Sequence, residues 1–279
     1  MTGGPILDNH LHLSPERGRG MGAVEDFVRA GGTHLIVVNL PSWHHGIDVE
    51  RPADFRPVFE TTLETVAAAD DLLPGRAWAV LGVHPGLITR LVDDRGFEPE
   101  AAATLMRGGL EVASEFVSVG EALGLKSGRP HYPVEDDVWA ASNAVMRHAF
   151  ALGAECDCAV QLHTEASEEM ETVAAWAREA GISPERVVKH YAAGALSGPV
   201  PSVMAERDRL ERAAGRGEPF LMETDFLDDP DRPGAVLGPK TVPRRVAWLR
   251  DRGHRRAVET AHVETPRLVY GVDTQASLE

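Results

Sequence analysis

Six side chains of metal-binding type stand singly at the ends of apolar runs in this sequence: His10 and His12 in ILDNHLHL, Glu121 in VSVGEAL, His163 in AVQLHTE, His190 in RVVKHYA and Asp225 in FLMETDF. Side chains alternate faces along a β-strand, so His10 and His12 offer two imidazoles on one side while Leu11 faces the other. An isolated histidine usually belongs to a core. Six ligand-type groups at the same end of successive strands are hard to reconcile with packing alone and point to a metal centre.

The elements that must position them alternate between β and α throughout. Strands are expected at 5–12, 34–40, 76–85, over FVSVGEAL to Glu121-Ala122, over CAVQLHTE to His163, over RVVKHYA, at 199–205, where two prolines weaken the signal, and over PFLMETD. Helices are expected near 22–30, closed by Gly31-Gly32, and at 54–70, where Phe55, Val58, Phe59, Thr62, Val66 and Ala69 form one stripe. Further helices fall near 98–114, 135–152, from a Ser167 cap to Gly181, and at 206–214. Beyond 239 the chain reads as outer helices, with Thr265-Pro266 as a cap and first-turn proline. Eight strands separated by helices predict a TIM-type (β/α)8 barrel with additional C-terminal helices, forming a single domain over 1–279. An open doubly wound sheet would spread the six ligands along a row. Closure instead brings the last strand beside the first, so that Asp225 reaches His10 and His12.

Weaker candidates surround that mouth. His84, before Pro85, could line the pocket or serve a turn. Arg129 and His131 in SGRPHYP could hold an anionic group or pack the loop around Pro130 and Pro133. The loop 228–240 carries Arg232 and Lys240 and is a candidate anion clamp, since barrel enzymes often bind phosphate near their last two strands. His44 and His45 lie in a loop after the second strand, where a surface role is favoured over ligation.

Composition narrows the function. The 279 residues, 43% of them hydrophobic, can bury one large core. No apolar run is long enough to span a bilayer, and the opening MTGGPILDNH shows no secretory pattern. The two cysteines, Cys156 and Cys158, cannot make a disulfide framework, so the cytoplasm is the expected compartment and a structural role is favoured for both. The formal net charge is −15, and only Lys126, Lys189 and Lys240 are lysines. Such self-repulsion suits heavy salt screening, as in a halophilic source, and argues against indiscriminate nucleic-acid binding. No protein partner is indicated.

With DNHLH, GVHPG, VGEALG, QLHTE, KHYA and METDF in place over nearly the whole chain, the sequence resembles the TatD-type metal-dependent hydrolases of the amidohydrolase superfamily. The stretches GRPHYPVEDDVWAASN and ETDFLDDPDRPGAVLGPKTVP look most like an archaeal branch. The bacterial deoxyribonucleases usually continue the strand-four glutamate with Gly-Leu-Asp, whereas Glu121 is followed by Ala-Leu-Gly-Leu-Lys. The resemblance implies two divalent ions. His10, His12 and Asp225 would hold one, His163 and His190 the other, and Glu121 would bridge them. Zn²⁺ is the expected metal, with Mn²⁺, Mg²⁺ or Ni²⁺ compatible. A hydroxide between the ions would be the nucleophile and Asp225 the general base. Lys189 alternates away from His190 and is not read as a carbamylated bridge. The phosphotriesterase-like branch has such a lysine on strand four, where this reading has Glu121.

Three functions follow as expectations. The first is hydrolysis of phosphoester bonds in nucleic-acid ends or nucleotides, as in a TatD-like deoxyribonuclease. The second is hydrolysis of an amide, lactone or carboxylic ester. A barrel that binds metal or ligand without turnover is the third, and the intact ligand set speaks against it.

Overall fold

The computed structural model describes residues 4–194, 196–234 and 236–278. Its strands are β1 (Leu7–His12), β2 (His34–Val38), β3 (Ala77–Gly82), β4 (Gly124–Gly128), β5 (Ala159–His163), β6 (Val187–Ala192), β7 (Val200–Met204), β8 (Leu221–Glu223) and β9 (Phe226–Leu227). They form one sheet, ordered β8-β7-β6-β5-β4-β3-β2-β1-β9, in which the pairings are parallel. β8 and β9 are two halves of one strand. β8 pairs with β7, the chain steps across at Thr224 and Asp225, and β9 pairs with β1. That step closes the sheet into a TIM-type barrel, and every strand can hide both faces, which is why β1 and β2 are buried along their full length.

Helices surround the sheet: α1 (Met21–Arg29), α2 (Arg56–Ala69), α3 (Leu87–Thr89), α4 (Pro99–Ser118), α5 (Asp136–Glu155), α6 (Glu171–Glu179), α7 (Arg207–Arg216), α8 (Thr241–Asp251), α9 (Arg255–Glu259) and α10 (Thr265–Tyr270). The largest apolar layer lies between α2, α4 and α5 and the outer faces of β3 to β5, with Phe59, Met106, Leu110, Met146 and Phe150 at its centre. Inside the barrel a floor is laid by Leu7, Ile36, Val80, Ala159, Val188, Val200 and Leu221, one residue from each of seven strands. Tyr270 from α10 plugs that floor, its hydroxyl 2.9 Å from Asn9 Oδ1 and 2.8 Å from Gln161 Nε2.

Three local expectations are corrected. FVSVGEAL is not the fourth strand: α4 runs on through Ser118 because Ala102, Leu105, Met106, Val112, Ala113 and Phe116 keep a helical spacing. It ends in a Schellman motif at Gly120 (φ 78°), where the Glu121 N–H donates to Phe116 O at 2.9 Å and the Gly120 N–H to Val117 O at 3.0 Å. Strand four is GLKSG, residues 124–128. Ser167 does not cap α6, which begins after Met170. Its hydroxyl instead accepts from the Glu169 N–H at 3.2 Å in a short turn. Thr265 opens no separate helix, because Thr260–Glu264 forms a π-helical turn that joins α9 to α10.

Candidate metal centre

The mouth of the barrel is a cavity of about 500 Å³ whose walls include His12, His84, Lys126, His163, His190 and Asp225. The backbone is irregular where the ligands are presented. Pairing between β1 and β2 slips between Asp8 and Leu11, a bulge beside His10. Asp225 has φ 48° and Tyr191, next to His190, φ 58°, both in the left-handed region that non-glycine residues seldom occupy. Asp225 is held there by its N–H, which donates to His10 O at 2.9 Å.

The ring nitrogens are oriented by the groups behind them. His12 Nδ1 lies 2.7 Å from the carbonyl of Val38, which can only accept, so its proton is on Nδ1 and the Nε2 lone pair faces the cavity. His10 Nδ1 lies 2.6 Å from Gln161 Oε1, while Gln161 Nε2 donates to Asn9 O and Tyr270 Oη, so the same tautomer results. His190 Nδ1 meets Glu223 Oε1 at 3.3 Å, which again leaves Nε2 free. Imidazoles anchored through one nitrogen with the other aimed at a common point are what a metal centre requires.

The free donors converge. His10 Nε2 and His12 Nε2 are 3.3 Å apart, and Asp225 Oδ1 is 3.8 and 3.7 Å from them. Bonds of about 2.0–2.2 Å to one ion place neighbouring ligand atoms roughly 3–3.5 Å apart, so this trio fits a divalent metal after a small contraction. His163 Nδ1 and His190 Nε2 form a second pair at 2.9 Å, and His190 stacks on His10 with ring centres 4.0 Å apart. Atoms of His10, His190 and Asp225 come within 4.8 Å of one another, so the two groups adjoin. Burial lowers the pKa of His10, His12, His84, His163 and His190 well below the usual imidazole value, and the charge of Lys126 pushes each the same way. All are therefore neutral, the form that binds metal. Burial raises Asp225 to about 6 and Glu223 well above the ordinary carboxylate range.

Of the expected ligands, His10, His12, His163, His190 and Asp225 come together, and Glu121 does not. It is exposed in the turn before β4, whereas the ligands follow the strands they sit on, so it lies at the opposite end of the barrel. β4 instead brings Lys126 inward, 2% exposed, with Nζ 3.5 Å from His10 Nε2. Lys189 is also buried, its ammonium donating to the carbonyls of Thr164 and His190 at 3.2 and 2.7 Å.

Among the substrate candidates, His84, His131 and Arg232 line the cavity. His131 Nδ1 is 2.9 Å from His163 Nε2. Arg129 does not line it. Its guanidinium is clamped by both oxygens of Glu165, by Asn143 Oδ1 at 2.9 Å and by the face of Trp139. Lys240 also turns away, pairing with Asp26 at 3.0 Å. The 228–240 loop, in which Ala235 lies outside the described residues, is tied to the loop after β1 by Asp228, which accepts from the N–H groups of Ser14, Arg19 and Gly20 at 2.7–3.0 Å. Sequence reasoning missed Lys126, Gln161, Glu223, Arg17 and Trp43. Gln161 stands two residues before His163 on β5, and Glu223, the last residue of β8, two residues before Asp225, which was the available signal. His44 lines the cavity as well, and His45 does not.

Comparison with known proteins agrees with this geometry. The sequence is 32% identical to the uncharacterized protein MJ1127 of Methanocaldococcus jannaschii, over 97% of each chain. The fold is similar to that of YjjV, a TatD homolog from Escherichia coli K12, with TM-score 0.61 and 16% identity over 96% of this chain and 98% of that one. It is also similar to a triple mutant of organophosphorus hydrolase from Deinococcus radiodurans, with TM-score 0.58 and 16% identity over 95% and 93% of the two chains. The family described as TatD related DNase matches residues 7–270, and with the barrel and its histidine-rich mouth this establishes that the chain belongs to the TatD-related family of metal-dependent hydrolases.

Proposed function

We propose that this protein hydrolyses phosphoester bonds at the ends of nucleic-acid strands or in nucleotides, using two divalent metal ions. The observation that carries the reading is the convergence of His10 Nε2, His12 Nε2 and Asp225 Oδ1 within 3.3–3.8 Å, beside the 2.9 Å pair of His163 and His190. His10, His12 and Asp225 would hold one ion and His163 and His190 the other, with zinc the expected metal. When bound, the ions would supply a nucleophile at neutral pH and polarise the bond under attack.

The chain's own residues do the rest. Asp225 faces the cavity and accepts the proton released as the attacking water adds to phosphorus. Arg232 stands at the wall, where it complements a phosphoester's charge, while Arg17 stands there already paired with Asp231 at 3.0 Å. Trp43, Leu40 and Leu227 add apolar wall against which a base could pack. A cavity of about 500 Å³ admits a nucleotide-sized group, and a net charge of −15 disfavours a long grip on a polyanion, so an end or a free nucleotide is the better substrate. Two free cysteines accord with a cytoplasmic setting.

The same apolar wall favours a second reading, an ester or lactone with an apolar body. The two are separated by nucleotide release from 3′-labelled single-stranded DNA beside a panel of small phosphodiesters and lactones. Zn²⁺, Mn²⁺ or Mg²⁺ is added across a salt series, with Asp225→Asn in parallel. Release from DNA or a phosphodiester by the wild type alone supports the first reading. Metal-loaded protein that opens lactones and leaves every phosphoester intact would replace it with the second.

A further inference from the structure

Most cations around the mouth are already paired: Arg17 with Asp231, Lys240 with Asp26 and Arg129 with Glu165. In a chain of 43 acidic and 28 basic residues that is the expected state of a guanidinium. Two exposed arginines break the pattern. Neither Arg232 nor Arg90 has a carboxylate within 4.0 Å among the described residues.

Arg90 belongs to the lip formed by the loop and short helix after β3. Its guanidinium carbon lies 4.7 Å from the ring centre of Trp43, over the face of an indole that lines the cavity and that His84 meets edge-on. Asp93 and Asp94 stand three and four residues further on, the usual spacing of a helical ion pair. Arg90 takes neither, because Arg90–Asp94 form a π-helical turn that shifts their register. The lip beneath it is firm. Ile88 and Leu91 are buried, and Thr89 Oγ1 is 2.8 Å from the hydroxyl of Tyr132 on the next loop. A guanidinium held on an aromatic face, exposed and free of carboxylates, keeps its N–H donors available to an anion. Strand order runs from β9 through β1 and β2 to β3, so Arg232 and Arg90 stand on one arc of the rim. Trp43 lies between them, facing the same cavity as His12, His163 and Asp225.

We propose that Arg90 and Trp43 form a second anion subsite, which takes the phosphate next to the one being cleaved while Trp43 packs against the intervening nucleoside. The preferred substrate then carries two phosphates, as a phosphorylated strand end or dinucleotide does, and an ester with a single phosphate is the poorer one. Arg232 complements the phosphoester under attack, and Arg90 reads its neighbour. The inference rests on the phosphoester reading given above.

The test compares thymidine dinucleotides with no terminal phosphate, with a 5′-phosphate and with a 3′-phosphate, using full-length protein loaded with Zn²⁺ or Mn²⁺. One terminally phosphorylated form should exceed the unphosphorylated one in kcat/KM by roughly 10–100-fold, the effect of a charge-assisted contact, and Arg90→Gln should erase the difference. Binding is read separately from turnover, by tryptophan fluorescence of metal-free protein titrated with thymidine 3′,5′-bisphosphate or thymidine 5′-monophosphate. The bisphosphate should bind more tightly by a similar factor in the wild type and no more tightly than the monophosphate in Arg90→Gln. Its fluorescence signal should vanish in Trp43→Phe. Cleavage of all three dinucleotides with equal efficiency, together with equal affinities for the two nucleotides, would overturn the subsite and leave the phosphoester reading standing. If no dinucleotide is cleaved, the phosphoester reading falls, and the titration alone decides the subsite: an Arg90-dependent preference for the bisphosphate supports it, and equal affinities overturn it as well.

Discussion

The carboxylate of Asp8 accepts two hydrogen bonds from Thr224, one from the backbone N–H at 3.0 Å and one from the hydroxyl at 2.7 Å, across the seam where the last strand meets the first. This buried clasp lies one residue from Asp225, so it joins barrel closure to the placement of a proposed metal donor. Replacing Thr224 with Val removes the hydroxyl and strands a buried acceptor. The expected loss is about 1–3 kcal/mol, seen as a lower urea midpoint at unchanged slope in the metal-free protein. An unchanged midpoint would show that the seam is held by other contacts.

Asp225→Asn keeps the conformation, because asparagine tolerates the left-handed backbone that φ 48° demands. It removes the carboxylate that can bind metal or accept a proton. Turnover should fall by at least about two orders of magnitude, the usual share of a general base. The circular dichroism spectrum of the folded protein should not change. Wild-type rates in this variant would remove Asp225 from the mechanism.

Gln161 fixes the tautomer of His10 from behind the ring, 2.6 Å from Nδ1 and away from the Nε2 proposed to bind metal. Gln161→Leu should weaken metal affinity by roughly 10–100-fold, the typical cost of losing a partner behind a ligand. Glu121→Gln, at the other end of the barrel, should leave affinity unchanged. Competition with a chromogenic chelator reads both. Equal losses in the two variants would restore Glu121 to the site.

Arg232 and Arg129 separate a cation that faces substrate from one locked in the wall. A charge-assisted contact of about 1.5–3 kcal/mol predicts that Arg232→Ala raises KM for a phosphodiester by roughly 10–100-fold and leaves a neutral lactone little affected. Arg129→Ala should instead lower Tm, since it frees Glu165 and uncovers Trp139. Steady-state kinetics paired with thermal melts would distinguish them. A KM effect confined to Arg129→Ala would invert the assignment.

His262 gives the fold a pH dependence far from the mouth. Burial lowers its pKa from the ordinary 6.5 to about 3, and its Nδ1 accepts from the Leu7 N–H at 3.0 Å. Between those values the unfolded chain binds a proton that the folded chain refuses, so stability rises with pH across the window and levels off above about 6.5. One such group contributes at most about 1.4 kcal/mol per pH unit. His262→Asn retains an acceptor for Leu7 and should flatten the slope by up to that amount, measured by denaturant melts of metal-free protein from pH 4.5 to 7. An identical slope would show that His262 titrates normally.

Much of the fold could be read from the chain because its strands obey a simple rule. HLIVV, VVKHYA and AVQLH are short β-branched or apolar runs, and each run ends where a ligand or a turn begins. The failure at strand four has a physical cause. Phe116, Val117 and Val119 favour strands, yet here they finish a long amphipathic helix, while Gly124-Leu-Lys-Ser-Gly128 has no β-branched residue and forms a strand only because β3 and β5 supply both edges. Misplacing that strand by a few residues exchanged Lys126 for Glu121. Arg129 and Lys240 illustrate a different limit, since a sequence shows that a cation is present and not whether a carboxylate already holds it.

The split last strand also sets the order of events on the ribosome. Until residues 221–227 have emerged, β7 lacks β8 and β1 lacks β9, and His10 and His12 have no Asp225 beside them. A nascent or truncated chain is thus an open sheet without the proposed donor Asp225, and the final strand acts as a checkpoint: the candidate site is complete only in molecules whose synthesis has passed the seam.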